Sequence, residues 1–192
     1  LLYVLFGYPL LLALMTRRER RPVRKGTEQK TVSVILPVRN GAAWIRRKLE
    51  SILALEYPRE KTEVLVVSNG SADGTEALVE EYAGRGVRLL RLEEGNKAKA
   101  LNLAIGQAAG EILFFTDVRQ ELEPGSLGRL VSCFADPEVG VASGELVIRE
   151  GESREESNVG LYWRYEKFIR RRLSRLDSVF GATGCIYAMR RS

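Results

Sequence analysis

Four short apolar runs, each followed by a polar loop and a helix-like segment, most strongly constrain the fold of this chain. The runs are VSVILPV at 32–38, VLVV at 64–67, VRLLRL at 87–92 and EILFFT at 111–116. They are largely continuous rather than alternating, which is typical of strands covered on both faces. Strand–helix alternation of this kind predicts an α/β fold with a mainly parallel sheet flanked by helices.

Capping and periodicity predict where the helices begin. Asn40 is predicted to cap the first helix of the sheet domain, in which Ile45, Leu49 and Ile52 recur at helical spacing. Asp73 with Glu76 has the spacing of a capping box, so a second helix is predicted from about Asp73 to Ala83. The remaining predicted elements are helices at 97–109 and 124–134 and strands at 139–148 and 185–189.

Composition excludes several classes of chemistry. The chain of 192 residues has no His and two cysteines, Cys133 and Cys185, which form no CxxC pair. The absence of His excludes Ser-His-Asp and Cys-His nucleophile systems and makes a zinc site unfavourable. Any chemistry must therefore use carboxylates, Lys, Arg or a metal ion held by oxygen ligands.

The positive charge of the chain is concentrated in two segments. The net charge is +5, yet residues 17–30 alone carry +5 and residues 164–175 carry another +5, which leaves the remainder acidic. Local patches on an acidic body argue for anionic partners at two places rather than for a nucleic-acid-binding surface.

The N-terminal segment is apolar and meets a basic cluster. Residues 1–15, LLYVLFGYPLLLALM, precede RRERRPVRK, and a membrane-spanning helix needs about 20 apolar residues. We expect residues 1–16 to be part of a transmembrane helix, with the basic linker 17–31 and the following domain on the cytoplasmic face. A signal-peptide core and a buried core helix are the alternatives.

A second candidate for membrane contact is the amphipathic segment 157–176, in which arginines interleave with Tyr165, Phe168 and Leu173. Such a helix can lie on an anionic membrane or near a lipid-linked acceptor. The alternative is a surface helix whose arginine face is solvated.

Polar groups follow three of the predicted strands. They lie in SNGSADGT (68–75), GNKAKALN (95–102) and TDVR (116–119). Right-handed crossovers bring the loops after parallel strands to one edge of the sheet, where open α/β sheets bind ligands. We therefore expect these three segments to meet at one cleft.

The order of these segments resembles family 2 glycosyltransferases of the GT-A type, from about Val32 to Arg191. That family carries an acidic-Gly-Ser loop, a Gly-Lys-…-Ala-Leu-Asn segment and an Asp-x-Asp-like metal loop. The resemblance implies that residues 32–192 form a GT-A domain, C-terminally incomplete, with its general base expected beyond Ser192. A small-residue turn, FGATGC at 180–185, is similar to the acceptor-side turn of the family.

The resemblance also implies a donor site. Pro37, Val38 and Asn69 would line the nucleotide pocket, Lys97 would contact the diphosphate, and Asp117 would hold Mg²⁺ or Mn²⁺. The chain departs from the family pattern at Ser68 and Asn69, which replace acidic residues, and at Arg119, which replaces a second carboxylate. An ion pair of Asp117 with Arg119 or Lys97, without a metal, is the alternative.

By this resemblance the intact protein would be an inverting glycosyltransferase. It would move a sugar from a nucleoside diphosphate donor, UDP-sugar by expectation, to a hydroxyl acceptor in polysaccharide, glycolipid or cell-envelope synthesis. A catalytically inactive nucleotide-sugar-binding module, acting as a membrane assembly partner, is the alternative. A dinucleotide-dependent oxidoreductase is disfavoured because no GxGxxG follows the first strand.

Overall fold

The computed structural model describes residues 2–17, 22–93, 95–145, 156–176, 178 and 181–192, with side chains of the long helix from residue 164 onward. Its contacts divide the chain into two units. The larger comprises Arg24–Gly144 with Ala182–Ser192, and the smaller comprises Leu1–Val23 with Glu145–Gly181.

The elements follow the predicted order. The strands are β1 (Val32–Val38), β2 (Thr62–Asn69), β3 (Val87–Leu92), β4 (Ile112–Thr116), β5 (Val141–Ser143) and β6 (Ile186–Arg190). The helices are α1 (Tyr8–Met15), α2 (Ala42–Leu53), α3 (Thr75–Glu80), α4 (Lys97–Gln107), α5 (Ser126–Ser132) and α6 (Glu156–Leu176).

The larger unit contains one six-stranded sheet in the order β3-β2-β1-β4-β6-β5. The first four strands of that order pair in parallel, which confirms the predicted α/β architecture. β6 is antiparallel to both β4 and β5. The sequence did not reveal this reversal, because the strand–helix alternation that implies parallel pairing continues through α5, β5 and α6 to β6.

Both faces of the sheet are covered by apolar side chains. Alternate residues of β1, β2 and β4 join a cluster with α2, α3 and α5, and the intervening residues join a second cluster with Ala100 and Ala104 of α4. On the second face, Phe115 stacks on Tyr187 of β6 with ring centroids 4.6 Å apart. Burial on both faces explains why these strands are continuously apolar in sequence.

Several predicted boundaries shift. α3 is shorter than predicted, α4 ends at Gln107, and β5 covers only the start of the strand predicted at 139–148. The end of that predicted strand, residues 146–148, lies outside the described residues.

The predicted Asn40 cap of α2 is wrong, whereas Asp73 does accept from a backbone amide at the start of its own helix, that of Thr75, at 3.1 Å. The loops after β1 and β2 also bond to each other. Asn40 has a positive φ of 50° and its Oδ1 accepts from the Ala72 amide at 2.9 Å. Asp73 in turn accepts from the Ala42 amide, at the first turn of α2, at 2.9 Å. Each short polar side chain thus satisfies a backbone donor of the neighbouring loop.

The smaller unit is helical. A π-helical turn, Tyr3–Gly7, leads into α1, and α6 confirms the amphipathic helix predicted at 157–176. Within this unit, Tyr165 donates to the Val4 carbonyl at 2.5 Å, and Arg172 donates to the Thr16 hydroxyl at 2.9 Å. No helix among the described residues combines the length and apolarity needed to cross a membrane.

The Asp73 carboxylate gives the larger unit a pH-dependent element. Its pKa is lowered, first by the hydrogen bond from the Thr75 hydroxyl and then by the Ala42 amide. A carboxylate with a depressed folded-state pKa stabilises the fold above its unfolded-state pKa, and this stabilisation is lost as pH falls through the folded-state pKa.

We therefore expect Asp73→Ala to lower the free energy of unfolding at pH 7, and the deficit to shrink as the pH is lowered through the acidic range. Urea unfolding at several pH values measures this, with Glu60→Ala, an exposed carboxylate before β2, as the control. A deficit that is the same at every pH would contradict the role of the ionised carboxylate.

Candidate active site

The carboxyl ends of three parallel strands meet at one edge of the sheet. β1 lies between β2 and β4, so the strand order reverses beside it. Val38 at the end of β1 pairs with Ser68 of β2, and Phe115 of β4 pairs with Ile35. A reversal of this kind opens a crevice between the loops, which is where open α/β sheets bind their ligands.

Asp117 and Lys97, two of the predicted site residues, are in contact at this edge. The Lys97 ammonium donates to Asp117 Oδ1 at 2.8 Å, and their side chains are 56% and 34% exposed. Because both are open to solvent, a ligand can reach either group. This is one of the two ion pairs of Asp117, with Lys97 or with Arg119, that the sequence analysis gave as the alternative to a metal site.

Arg119 does not form the other ion pair. Its guanidinium lies over the Trp44 ring of α2, 5.0 Å from the centroid. The cation–π contact holds this charge beside the loop that carries Asp117 without neutralising it.

Lys97 is the first residue of α4, and Asn96, which separates it from Gly95, has a structural role. Asn96 is the N-cap of α4, and its Oδ1 accepts from the Lys99 amide at 3.0 Å. A cation in the first turn opposes the helix macrodipole, so Lys97 gains nothing from its position in the helix alone. An anion bound near the helix start would interact favourably with both.

Asn69 ends β2 beneath the segment that leads to Lys97. Its Nδ2 donates to the Gly95 carbonyl at 3.1 Å, and the residue is 8% exposed. Its Oδ1 is shielded from solvent and has no hydrogen-bond partner among the described residues. Contact between Asn69 and a nucleotide base would therefore require the Gly95 segment to move, and the predicted contact stays a prediction.

Pro37 and Val38 also lie at this edge. Pro37 is half-buried, whereas the Val38 side chain is 3% exposed and belongs to the apolar cluster with α2. Val38 can therefore line a pocket only with its backbone atoms. The predicted role of both residues at the nucleotide stays a prediction.

The carboxylates available for a metal ion are few. Among the described residues, no group of three His, Cys, Asp or Glu side chains could hold one. Asp117 nevertheless presents a partly exposed carboxylate, and Mg²⁺ bound with a nucleotide takes most of its ligands from phosphate and water, with only one or two carboxylates. The site fits a cation that arrives with a diphosphate, and it does not fit a cation bound by protein alone.

Sequence reasoning missed Lys48, which lies beneath the Asp117 loop. Lys48 is 1% exposed, and its ammonium donates to the Thr116 hydroxyl and the Gln120 carbonyl, both at 2.6 Å. Burial lowers the pKa of Lys48 to about 7, opposed by the nearby Asp117 charge. The helical spacing indicated that Lys48 would be buried, because positions 45, 48, 49 and 52 lie on one face of α2. The prediction of that face considered only its apolar residues.

Glu145 is a poor candidate for a general base. It ends the described part of the loop after β5 and, within the smaller unit, accepts two hydrogen bonds from Arg171 at 2.8 and 2.9 Å. These bonds lower the pKa of Glu145. A carboxylate stabilised in its ionised form is a weaker proton acceptor.

The structure places a lysine–carboxylate pair at the switch point of an α/β sheet, and sequence comparison identifies the family. The profile of glycosyl transferase family 2 matches residues 33–192. The chain therefore belongs to glycosyl transferase family 2.

Two curated relatives carry consistent names. Glycosyltransferase AglE of Haloferax volcanii is 40% identical over 89 residues, which cover 45% of this chain and 29% of AglE. The O-antigen biosynthesis protein RfbC of Myxococcus xanthus is 38% identical over 138 residues, which cover 70% of this chain and 10% of RfbC. The chain thus spans less than a third of either relative.

Solved structures agree with the fold. The mannosyltransferase PcManGT from Pyrobaculum calidifontis, in complex with GDP-Man and Mn²⁺, is similar with a TM-score of 0.80 and 30% identity, over 98% of this chain and 53% of that one. Staphylococcus aureus TarS in complex with UDP-GlcNAc is similar with a TM-score of 0.57 and 28% identity, over 64% of this chain and 36% of that one.

The contact geometry predicts distinct effects at two neighbouring lysines. Lys97→Gln should weaken binding of a nucleoside diphosphate by about 10–100-fold, because a hydrogen bond to a charged group contributes about 1.5–3 kcal/mol. Binding of the nucleoside should not change. Isothermal titration with UDP and uridine measures both.

Lys99→Gln is the matched control, since Lys99 is exposed on the same helix and only its backbone amide contacts Asn96. Equal losses for UDP and uridine in Lys97→Gln, or equal effects of the two substitutions, would contradict a diphosphate contact at Lys97.

Proposed function

We propose that this chain is the donor-binding part of an inverting glycosyltransferase. The enzyme would transfer a sugar from a UDP-sugar to a hydroxyl acceptor. The acceptor would belong to polysaccharide, glycolipid or cell-envelope synthesis. The observation that carries the proposal is the solvent-accessible Lys97–Asp117 pair at the switch point of the sheet.

The charges at this edge suit a departing diphosphate. Sugar transfer leaves negative charge on the diphosphate, and fixed positive groups near it lower the barrier. Lys97 is placed to supply one such charge, and Arg119 belongs to the loop that carries Asp117. Asp117 would hold Mg²⁺ or Mn²⁺, which when bound would neutralise further charge on the leaving group.

The relatives support the same chemistry. PcManGT is described with GDP-Man and Mn²⁺, and TarS with UDP-GlcNAc. The donors of these two proteins differ in base and sugar, so the choice of uridine for this chain rests on the family resemblance and is open to direct test.

We expect UDP to bind and Mn²⁺ to tighten it by about tenfold or more, which corresponds to about 1.4 kcal/mol. Asp117→Asn should abolish this tightening. In the absence of metal the same substitution should leave UDP affinity equal or higher, because it removes a negative charge that repels the diphosphate. Isothermal titration with and without Mn²⁺ measures all four affinities.

Glu60→Gln, at the opposite edge of the sheet before β2, is the control. Persistent tightening by Mn²⁺ in Asp117→Asn would remove Asp117 as a metal ligand. Tighter binding of GDP than of UDP would contradict the uridine preference, and binding of neither would contradict the donor site itself.

We further propose that the smaller unit holds the protein at the cytoplasmic face of an anionic membrane. Several large apolar side chains of the N-terminal helical segment are exposed, among them Phe6, Leu10 and Leu14. Within the same unit, α6 carries arginines such as Arg171 and Arg175. Apolar insertion combined with basic side chains is the combination that binds anionic lipid surfaces.

The chain should therefore co-sediment with phosphatidylserine-containing vesicles more than with pure phosphatidylcholine vesicles, and added salt should weaken this binding. Leu10→Ser with Leu11→Ser should reduce it, whereas Val141→Ser, an exposed apolar residue of the larger unit, should not. Unchanged binding by the double variant would contradict the proposal.

A further inference from the structure

Lys48 occupies a position in the molecule that normally takes an apolar residue. It lies on the face of α2 formed by Ile45, Leu49 and Ile52, all of which are at most 3% exposed. Lysine is almost never fully buried unless its ammonium is paired. The partners of Lys48 should therefore show what the buried charge does.

Both partners belong to the loop that carries Asp117. Thr116 is the last residue of β4, and Gln120 lies four residues later. The ammonium thus bonds to the two residues that flank the segment 117–119, which contains Asp117 and Arg119.

The same network continues to the neighbouring strand. The Thr116 hydroxyl accepts from Lys48 and donates to the Cys185 carbonyl at 3.2 Å. The Asp117 amide donates to that carbonyl as well, at 3.4 Å. The Lys48 ammonium therefore connects α2 to the end of β4, and the Thr116 hydroxyl continues this connection to the approach to β6.

Stability alone does not account for a lysine at this place. Burial disfavours the charged form, which is why the pKa of Lys48 is lowered to about 7. A buried charged network replaced as a whole by apolar side chains of similar volume is often no less stable. The neutral oxygens of Thr116 and Gln120 do not offset this cost as a carboxylate would.

We propose that Lys48 is a positioning residue of the donor site, which fixes the segment 117–119 so that the Asp117 carboxylate faces the cation–diphosphate. The inference rests on the proposed function. Residues that orient a metal-ligating group through hydrogen bonds change metal affinity by about 10–100-fold when they are substituted.

The test combines Lys48→Met, which keeps an unbranched side chain and removes the ammonium, with Thr116→Val, which removes the hydroxyl that receives one of its bonds. Arg46→Met is the control, because it removes an exposed cation from the same helix whose partner is Glu81. Each protein is titrated with uridine, and with UDP in the presence and absence of Mn²⁺. Amide hydrogen exchange of residues 117–119 and of β1 is measured without ligand.

We expect Lys48→Met to keep its thermal stability and its uridine affinity while the UDP affinity measured with Mn²⁺ falls by about 10–100-fold. Its amides at 117–119 should exchange faster, with those of β1 unchanged. Thr116→Val should show the same pattern to a smaller degree, and it provides the test if Lys48→Met does not fold.

An unchanged response to Mn²⁺ and unchanged exchange at 117–119 would overturn the inference while leaving the proposed function intact. Parallel losses of uridine affinity, UDP affinity and stability would also overturn it, because they would show a purely structural role. If the unsubstituted chain binds no UDP, the proposed function itself fails, and the positioning role fails with it.

Discussion

The parallel pairing of β1 with both β2 and β4 is the constraint on which the rest of this unit depends. It buries β1 on both faces and between two neighbours, so its residues from Val32 to Leu36 are fully shielded from solvent. Because parallel strands share a direction, their carboxyl ends must lie at one edge, and the loops that follow them must meet there. The site is a consequence of this pairing rather than of any single motif.

The electrostatics of that edge distinguish the site from an ordinary loop cluster. Lys97 contacts the partly exposed carboxylate of Asp117. Arg119 belongs to the same loop, and the buried Lys48 bonds to Thr116 and Gln120 on either side of it. Lys97 and Lys48 are both placed unfavourably for stability, one against a helix macrodipole and the other in an apolar core. A bound diphosphate would make the position of Lys97 at the start of α4 favourable. By its proposed positioning role, Lys48 orders the loop that carries Asp117, and this order would favour binding of the diphosphate.

The fold was largely predictable because its parallel strands repeat one pattern. The runs at 32–38, 87–92 and 111–116 became β1, β3 and β4 with small shifts, since continuous apolar sequence and flanking polar loops leave few alternatives. The antiparallel pairing of β6 between β4 and β5 was not predictable, because strands and helices alternate up to β6 and that alternation implies parallel pairing. The end of the strand predicted at 139–148 lies outside the described residues.

The site was predictable in its residues more than in its contacts. Lys97 and Asp117 were expected at one cleft, and the structure joins them. Asn40 was expected to cap α2 and bonds to the loop after β2 instead, whereas Asp73 bonds both to the start of its own helix and to the start of α2. Local spacing cannot reveal such exchanges, because they depend on which loops the sheet brings together. Lys48 was missed for a related reason, since its partners are some 70 residues away in sequence.

A crystal structure of the chain with UDP and Mn²⁺, using the anomalous signal of manganese, tests the central claim most directly. The account predicts a manganese peak within coordination distance of Asp117, with diphosphate oxygens bridging that ion and Lys97. A nucleotide bound away from the carboxyl ends of β1, β2 and β4, or a diphosphate that contacts neither Lys97 nor Asp117, would contradict it.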